Sequence, residues 1–484
     1  MINTGVPSNL NVPQTFHTFT YLYANRSLIS LPIRIALVGM KSSAGTAVNG
    51  TIYEVADATQ TDGLFGVGSE LALMCRMAFA VSAFLQRGPR VYAVSIAEPG
   101  ASVANVKTIT VTGSATADGN AIVRIAGRTY TVGIRSGDVQ NTTAANISAK
   151  IKENDENNPV ATTVATNVVT LTHRTTGVQG GDVTVTADQT VAGVTIAVAN
   201  TVTGTGTPNI QPAIDALGAL KYDGIAFGNH YGADITIINT DITARWGATD
   251  KGWRYYFLGE PGTIGTGTSL AASANHQAVV IGSFEGGLNT AGELATALAM
   301  ATFSRERPNA IYNNLKLPLY PPPAATVYTP TELETAIAAG LTPLSAVIDS
   351  TGAIVAGQAK IIRMVTTKTT SGSNPFALLR DIGVSRTGVY LARQLDAGYE
   401  ERFGADANPD GVYLTDDTLD QVGDLAKSIL RACGEATILR NVETDIAKLV
   451  YERDLVTIGR ANVDLWYTVV VGLHQIAWKH NVQV

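Results

Sequence analysis

A change in composition near residue 101 constrains the fold of this chain most strongly. From there to about residue 207 the chain is rich in Thr, Val, Ala and Gly, with strand-like runs separated by turns such as Asp118-Gly119. Before and after this stretch, short continuous apolar runs alternate with helical patterns, which is typical of a parallel sheet buried on both faces. The sequence therefore predicts an α/β core that is interrupted by an inserted all-β module.

The first flanking segment illustrates the α/β pattern. Residues 33–39 form an apolar run that ends in glycine, and residues 71–85 carry an apolar stripe at helical spacing. Ser69 stands where an N-cap is needed, and residues 90–96 give the next strand. The alternation resumes after Asn209, so we expect one α/β domain built from both flanks.

Two further regions have their own patterns. In the inserted stretch, residues 109–112 and 121–125 suggest a hairpin around Asp118-Gly119, with one helix at about 143–154. After residue 345 we expect a strand at 358–366, helices near 374–402 and 419–429, and strands near 445–450 and 465–471. The predicted organisation is an N-terminal arm (1–30), an α/β domain (31–100 plus 206–345), the inserted surface β module (101–205), a C-terminal α+β domain (346–472) and a C-terminal arm (473–484).

Composition excludes several classes of function. Charged residues make up only 15% of the 484 residues, against about 25% in typical soluble domains. A low charge content hints at extensive contacts with other chains. The net charge of −6 gives no basic footprint for nucleic acid, and no apolar run approaches the length of a membrane span. The N-terminal residues show neither the basic nor the apolar region of a secretory signal. Cys75 and Cys433 are expected to be packed, reduced thiols.

Each candidate motif for catalysis or cofactor binding lacks a required residue. Lys41 follows a strand but lacks the glycine spacing of a phosphate loop, and Gly66-Val-Gly68 lacks the third glycine of a dinucleotide fingerprint. The six histidines show no helical metal spacing, and there is no Gly-x-Ser-x-Gly elbow. A serine triad with His230 and one of four aspartates remains conceivable on loose spacing alone; those aspartates are Asp57, Asp62, Asp215 and Asp223. We predict no catalytic, cofactor-binding or metal-binding residue.

Several segments resemble the contractile tail sheath proteins of phages, in particular the Mu-like sheath family. Residues 307–323 (RPNAIYNNLKLPLYPPP) are similar to the family's Arg-Pro…Leu…Pro-Pro element, and residues 339–344 (AGLTPL) to a turn that follows it. Residues 361–370 (IIRMVTTKTT) resemble the family's Arg-x-Val-Thr-Thr-Tyr strand, with Lys368 where a tyrosine is usual. Residues 111–134 look like the surface β module of Mu-like sheaths. These matches run in the right order along most of the chain.

The resemblance implies a multidomain α/β protein whose core has subtilisin-like topology without proteolysis. It implies a non-enzymatic structural subunit without cofactor, which forms a helical homo-oligomer of stacked rings around a tail tube. Such a subunit contracts to drive the tube through the host envelope, with the baseplate and tail terminator proteins as further partners. Its place would be the virion tail after assembly in the host cytoplasm, with no nucleic acid bound and no membrane insertion.

Specific contact residues follow as hypotheses. The two β-prone termini offer strands for addition to neighbouring subunits, although each also suits a strand in its own domain. The residues proposed for this strand exchange are Phe16, Thr18, Thr20, Leu22, Ile476, Trp478, Val482 and Val484. Lys448, Arg453 and Arg460 are candidates to face an acidic tube. The alternatives are a non-contractile tail or tube protein, which would usually be shorter and mostly β, and a cytoplasmic hydrolase.

Overall fold

The computed structural model describes residue 28 and residues 32–218, 220–247, 249–323, 327–369, 379–404, 412–457 and 459–471. These residues form two compact units. The first contains residues 32–386 and residue 471, and the second contains residues 387–470 together with residue 28. The eight residues proposed for strand exchange lie outside the described residues.

The strands are β1 (Arg34–Met40), β2 (Ile52–Val55), β3 (Arg90–Ile96), β4 (Val106–Gly113), β5 (Gly119–Ile125), β6 (Arg128–Ile134), β7 (Val160–Ala165), β8 (Val168–His173), β9 (Val185–Gln189), β10 (Val194–Val202), β11 (Gly224–Phe227), β12 (Tyr255–Glu260), β13 (Val279–Ser283), β14 (Lys316–Leu317), β15 (Thr342–Ile348), β16 (Ile354–Ile361), β17 (Leu439–Arg440), β18 (Val450–Arg453), β19 (Ala461–Asp464) and β20 (Thr468–Val469). The helices are α1 (Thr59–Phe65), α2 (Glu70–Leu85), α3 (Gln140–Lys152), α4 (Gln211–Leu217), α5 (Gly232–Arg245), α6 (Ile264–Ala274), α7 (Ala291–Phe303), α8 (Pro330–Ala338), α9 (Ile382–Phe403), α10 (Asp416–Glu435) and α11 (Val442–Ile446).

A nine-stranded sheet is the centre of the first unit. Its order is β14-β16-β15-β13-β12-β11-β1-β3-β2, with parallel pairing from β15 through to β3 and antiparallel pairing at both edges. The chain runs from β1 outward to β3 and later returns to the other side of β1 through β11. The strand order therefore reverses between β1 and β11, which is the position where open α/β sheets form a crevice at their carboxyl ends. The mixed α/β class predicted from the sequence is confirmed.

Helices α2 and α7 pack beside the strands that form this crevice. α2 and α7 pack on each other and on the central strands, and every residue of α7 is buried, as its run of small and apolar residues predicts. Ser69 Oγ accepts a hydrogen bond from the Ala72 N–H at 3.3 Å, so the predicted N-cap of α2 is present. Thr290 and Glu293 form a capping box at the start of α7.

Strands β4 to β10 form two small sheets that share a core with α3. Their orders are β10-β4-β8-β7 and β6-β5-β9. The predicted hairpin around Asp118-Gly119 is wrong, because β4 pairs with β10 and β8, whereas β5 pairs with β6 and β9. The turn carries the chain from one sheet to the other. Pairing with β10, from the far end of the module, outcompetes the local hairpin because it runs along nearly the whole of β4.

The predicted boundary between residues 345 and 346 also needs correction. It falls inside β15, which pairs with β13 on one side and with β16 on the other, so the large sheet continues to residue 361. The two compact units divide instead between residues 386 and 387. Residue 345 lies in the middle of β15, whose pairings with β13 and β16 place both halves of the strand in the same sheet.

The second unit is built on α9 and α10. Leu425, Ile429, Leu430 and Cys433 from α10 form a buried cluster with Leu391 and other apolar residues. The strand expected at 445–450 is wrong: α11 occupies Val442–Ile446 and β18 begins only at residue 450. Two separate small pairings follow, β18 with β19 and β17 with β20.

Candidate functional site

The crevice between β1 and β11 contains a cluster of buried polar side chains. Glu70, at the start of α2, accepts a hydrogen bond from the Met40 N–H at 2.8 Å with one carboxylate oxygen. Gly228 follows β11 and lies against the same carboxylate: a Cβ at this position would come within 2.4 Å of Glu70 Cδ. The glycine is therefore required by the close approach of the backbone to the glutamate.

His230 lies two residues further along and is 8% exposed. Its Nε2 is 3.6 Å from Asp182 Oδ2 and 4.0 Å from Glu260 Oε2, while its Nδ1 has no hydrogen-bond partner. Burial lowers the pKa of His230 to about 4. The imidazole is thus neutral near pH 7 and carries a single N–H.

Acidic groups dominate the surroundings of this histidine. Burial raises the pKa of Glu70 and of Glu260 to about 7, against the backbone hydrogen bonds that each accepts. It likewise raises the pKa values of Asp182 and Asp234 to about 6. Carboxyl groups that hold their protons near neutral pH are typical of acid–base sites, but also of buried polar clusters.

The geometry does not assemble a serine hydrolase within the described residues. No hydrogen bond joins a serine or cysteine to His230 there, and its acidic neighbours are Asp182 and Glu260. Asp62 pairs instead with Arg76, and Asp223 accepts the Arg34 N–H. Of the remaining two candidates, Asp57 accepts hydrogen bonds from Thr59 and Asp215 from Gln211.

The described part of the chain has neither a metal site nor a membrane-spanning helix. No group of three or more His, Cys, Asp or Glu side chains there could hold a metal ion. Among the same residues, no helix combines the length and apolarity needed to cross a bilayer. Both cysteines are buried, and burial raises the pKa of Cys433 to about 11, which makes its thiol a poor nucleophile.

The three predicted tube-facing cations lie on one hairpin of the second unit or just before it. Arg453 ends β18 and pairs with Asp416 at 2.7 Å, and Arg460 precedes β19 and pairs with Asp454 at 2.7 Å. Lys448 lies 3.4 Å from Asp445. The structure thus brings these cations to one region, each already beside a carboxylate.

The tip of this hairpin was missed by the sequence reasoning. Leu455 and Val456 are 99% and 91% exposed between β18 and β19. The hairpin packs on α10 through Tyr451. The Tyr451 ring lies so close to Gly423 that a Cβ at position 423 would come within 2.5 Å of the ring. Asp454, which accepts hydrogen bonds from the Val456 and Thr457 N–H groups, is a turn-forming signal that the sequence offers for this tip.

Within the first unit, the β module is joined to the α/β core by a buried ion pair. Arg128 of β6 binds Glu293 of α7 at 2.6 Å, and their side chains are 10% and 1% exposed. The same guanidinium lies over the Tyr320 ring, 5.7 Å from its centroid. Since Glu293 also closes the capping box of α7, one carboxylate links the helix start to the module.

Comparison with known proteins supplies what the geometry alone does not. No family model matches the chain. Its sequence is 26% identical over 276 residues to the Mu-like prophage FluMu tail sheath protein of Haemophilus influenzae. This match spans 56% of the chain and 56% of that protein, so the chain covers about half the length of the curated relative.

The chain is a homologue of a Mu-like tail sheath protein. The resemblance stated from the sequence motifs is therefore confirmed. Two solved structures are also similar: the sheath tail protein from Desulfitobacterium hafniense, at 12% identity, covers 94% of this chain and 100% of its own length with a TM-score of 0.48. The sheath tail protein from Listeria innocua, at 13% identity, covers 92% and 96% with a TM-score of 0.49.

Proposed function

We propose that this chain is a structural subunit of the contractile sheath of a phage or phage-like tail. The single observation that carries the proposal is its relationship to the Mu-like tail sheath protein, at 26% identity over 276 residues. In this role the subunit polymerises helically around a tail tube, in the virion, and rearranges to drive the tube through the host envelope. No nucleotide or cofactor is needed for such a rearrangement.

The physical basis of the proposed polymer is a contact repeated between unlike surfaces of identical subunits. Such a heterologous contact generates an open helix when its rotation does not close into a ring. We propose that the two β-prone terminal arms provide part of this contact by adding strands to neighbouring sheets. We further propose that the hairpin with Lys448, Arg453 and Arg460 contributes to the tube-facing surface, where a partner's carboxylates would compete with the local ones.

Electron microscopy tests the proposal directly. Negative-stain images of the purified protein, alone and with its tail tube protein as template, should show hollow tubes or stacked rings. A variant lacking residues 474–484 should lose them, whereas a control in which these residues are replaced by a Gly/Ser tail of equal length separates the need for strand-forming side chains from the need for length. Tubes that persist in the deletion variant would discard the strand exchange and keep the sheath.

Enzyme activity is the alternative to exclude. Labelling of the purified protein with a serine-directed fluorophosphonate probe should give no signal above that of the heat-denatured chain. Stoichiometric labelling of a folded chain that forms no tubes with its template would contradict the structural role.

A further inference from the structure

The contact between the β module and the α/β core contains a buried carboxyl group whose hydrogen bonding is incomplete. Glu260 ends β12 in the core and is 2% exposed. Its Oε1 accepts the Gly262 N–H at 2.7 Å, but its Oε2 has no hydrogen-bond partner. An unsatisfied buried oxygen is costly, and the cost is greater for a charged carboxylate than for a neutral acid.

Glu260 faces the module through a histidine. His230 lies between Glu260 of the core and Asp182, which belongs to the module and precedes β9. The two separations, 4.0 and 3.6 Å, are longer than direct hydrogen bonds but short enough for strong electrostatic interaction. Asp182 lies at the rim, with 36% of its side chain exposed, so protons reach this contact from solvent.

From these contacts we propose that Asp182, His230 and Glu260 form a proton-dependent latch that holds the β module on the α/β core. When Glu260 is protonated it carries no charge, and the single N–H of His230 is available to Asp182 alone. When Glu260 is ionised, two carboxylates face one neutral imidazole that has only one N–H on the shared nitrogen. One carboxylate is then left unpaired and repelled, and the contact loosens.

Other groups near the latch set its balance. On the module side, Lys107 donates to the Gly181 and Val183 carbonyl groups on either side of Asp182, and its charge lowers the pKa of Asp182 against the raising effect of burial. On the core side, Glu70 and Asp234 add carboxyl groups from the starts of α2 and α5, whereas burial raises the pKa of Tyr231 and keeps its phenol neutral. Asp182 and Asp234 both raise the pKa of Glu70. Negative charge therefore outweighs positive charge around the contact, which favours holding a proton.

The direction of the pH dependence follows from these shifts. The pKa of Glu260 is about 7 in the closed contact, above its ordinary value of 4.5. Its contribution to closure is complete below pH 4.5 and is lost as the pH rises through 7. The pKa of His230 is lowered from 6.5 to about 4, so its contribution is present above pH 6.5 and is lost as the pH falls through 4. Between pH 6.5 and 8 the histidine stays neutral in the closed contact, whereas in the open contact it loses its partial charge over this interval, which offsets part of the carboxyl effect.

Hydrogen–deuterium exchange of the full chain at pH 6.5 and pH 8 tests the latch. After correction for intrinsic exchange rates, opening at residues 176–183 and 228–232 should increase about two- to threefold over this interval, because the roughly fourfold effect of Glu260 is partly offset by the titration of His230 in the open contact. Glu260→Gln removes the largest pH-dependent contribution and should abolish the increase in the corrected opening. Asp182→Asn lies at the rim and should reduce the increase without endangering the fold.

The matched control is Glu54→Gln, the same substitution on the exposed side of β2, which should keep the wild-type increase. An unchanged opening in the wild-type chain between pH 6.5 and 8 would overturn the latch. An increase in the Glu260→Gln and Asp182→Asn variants as large as that of the wild-type chain would overturn it too. If Glu260→Gln does not fold, the wild-type profile and the Asp182→Asn variant still decide the matter. The measurement needs no tail assembly, so its outcome is independent of the proposed sheath function.

Discussion

Charged side chains are used differently in the two compact units. In the first unit, Arg254 is 1% exposed and binds Asp241 through two nitrogens, at 2.7 and 3.0 Å, with Tyr256 donating to the same carboxylate. In the second unit, the Arg453–Asp416 pair leaves 47% and 92% of the two side chains exposed. The described pairs of the second unit all include at least one side chain with substantial solvent contact.

This difference indicates which ion pairs of the chain can exchange one charged partner for another. A buried pair cannot be separated without leaving an uncompensated charge in a dry environment, whereas an exposed pair exchanges one partner for water or for another chain at little cost. The buried pairs of the first unit, Arg254–Asp241 and Arg128–Glu293, therefore stabilise a fixed scaffold, although the same unit also has exposed pairs such as Arg87–Glu306. The charges of the second unit remain available for contacts that form and break, as the proposed rearrangement of a sheath requires.

The largest expected effect comes from breaking the buried pair of the first unit. Asp241→Ala leaves the Arg254 guanidinium buried without its counter-ion and should reduce the free energy of unfolding by about 3–5 kcal/mol. Calorimetry and urea titration measure this effect. Asp416→Ala is the matched control, and equal losses in the two variants would remove the contrast between the units.

A smaller effect on the free energy of unfolding is expected from removing the N-cap of one helix in each unit. Thr290→Ala removes the N-cap of α7 and Thr415→Ala that of α10, each at about 1 kcal/mol. The loss at Thr290 should be the larger, because Thr290 orients Glu293, which also binds Arg128. Urea titration of both variants checks this order, and a greater loss at Thr415 would contradict it.

The smallest effect on stability is expected for Arg453→Met. Because the pair is exposed, the free energy of unfolding should change by about 0–1 kcal/mol. If the hairpin faces the tube as proposed, assembly on the tube protein should nevertheless weaken, and electron microscopy can count the tubes formed. Arg431→Met is the control, since it breaks another exposed pair of the same unit, with Glu443. Equal assembly of the two variants would remove Arg453 from the proposed tube surface.

The sequence predicted much of the local structure. The apolar runs at residues 33–39 and 90–96 are strands of the buried sheet, and the stripe at residues 71–85 is a helix capped by Ser69. These predictions succeed because burial on both faces and helical spacing leave their marks in consecutive residues. The family resemblance succeeded for a similar reason, since ordered motifs persist along the chain.

Strand partners and the polar crevice could not be read in the same way. The choice of β10 rather than β5 as the partner of β4 depends on residues about 80 positions away. Glu70, Asp182, His230 and Glu260 come from separate elements, and none has a neighbour in sequence that marks it as part of a cluster. The pKa of each depends on burial, which a carboxylate or imidazole in the sequence does not reveal.

The sequence by itself thus determined the succession of strands and helices, the insertion of a β-rich module and the relationship to tail sheath proteins. Only the tertiary structure decided which strands pair, that the large sheet continues to residue 361 and that Asp182, His230 and Glu260 meet between module and core. The physical reason is that periodicity and capping act over a few consecutive residues. Strand pairing and desolvation arise instead from contacts between segments that the chain brings together only when it folds.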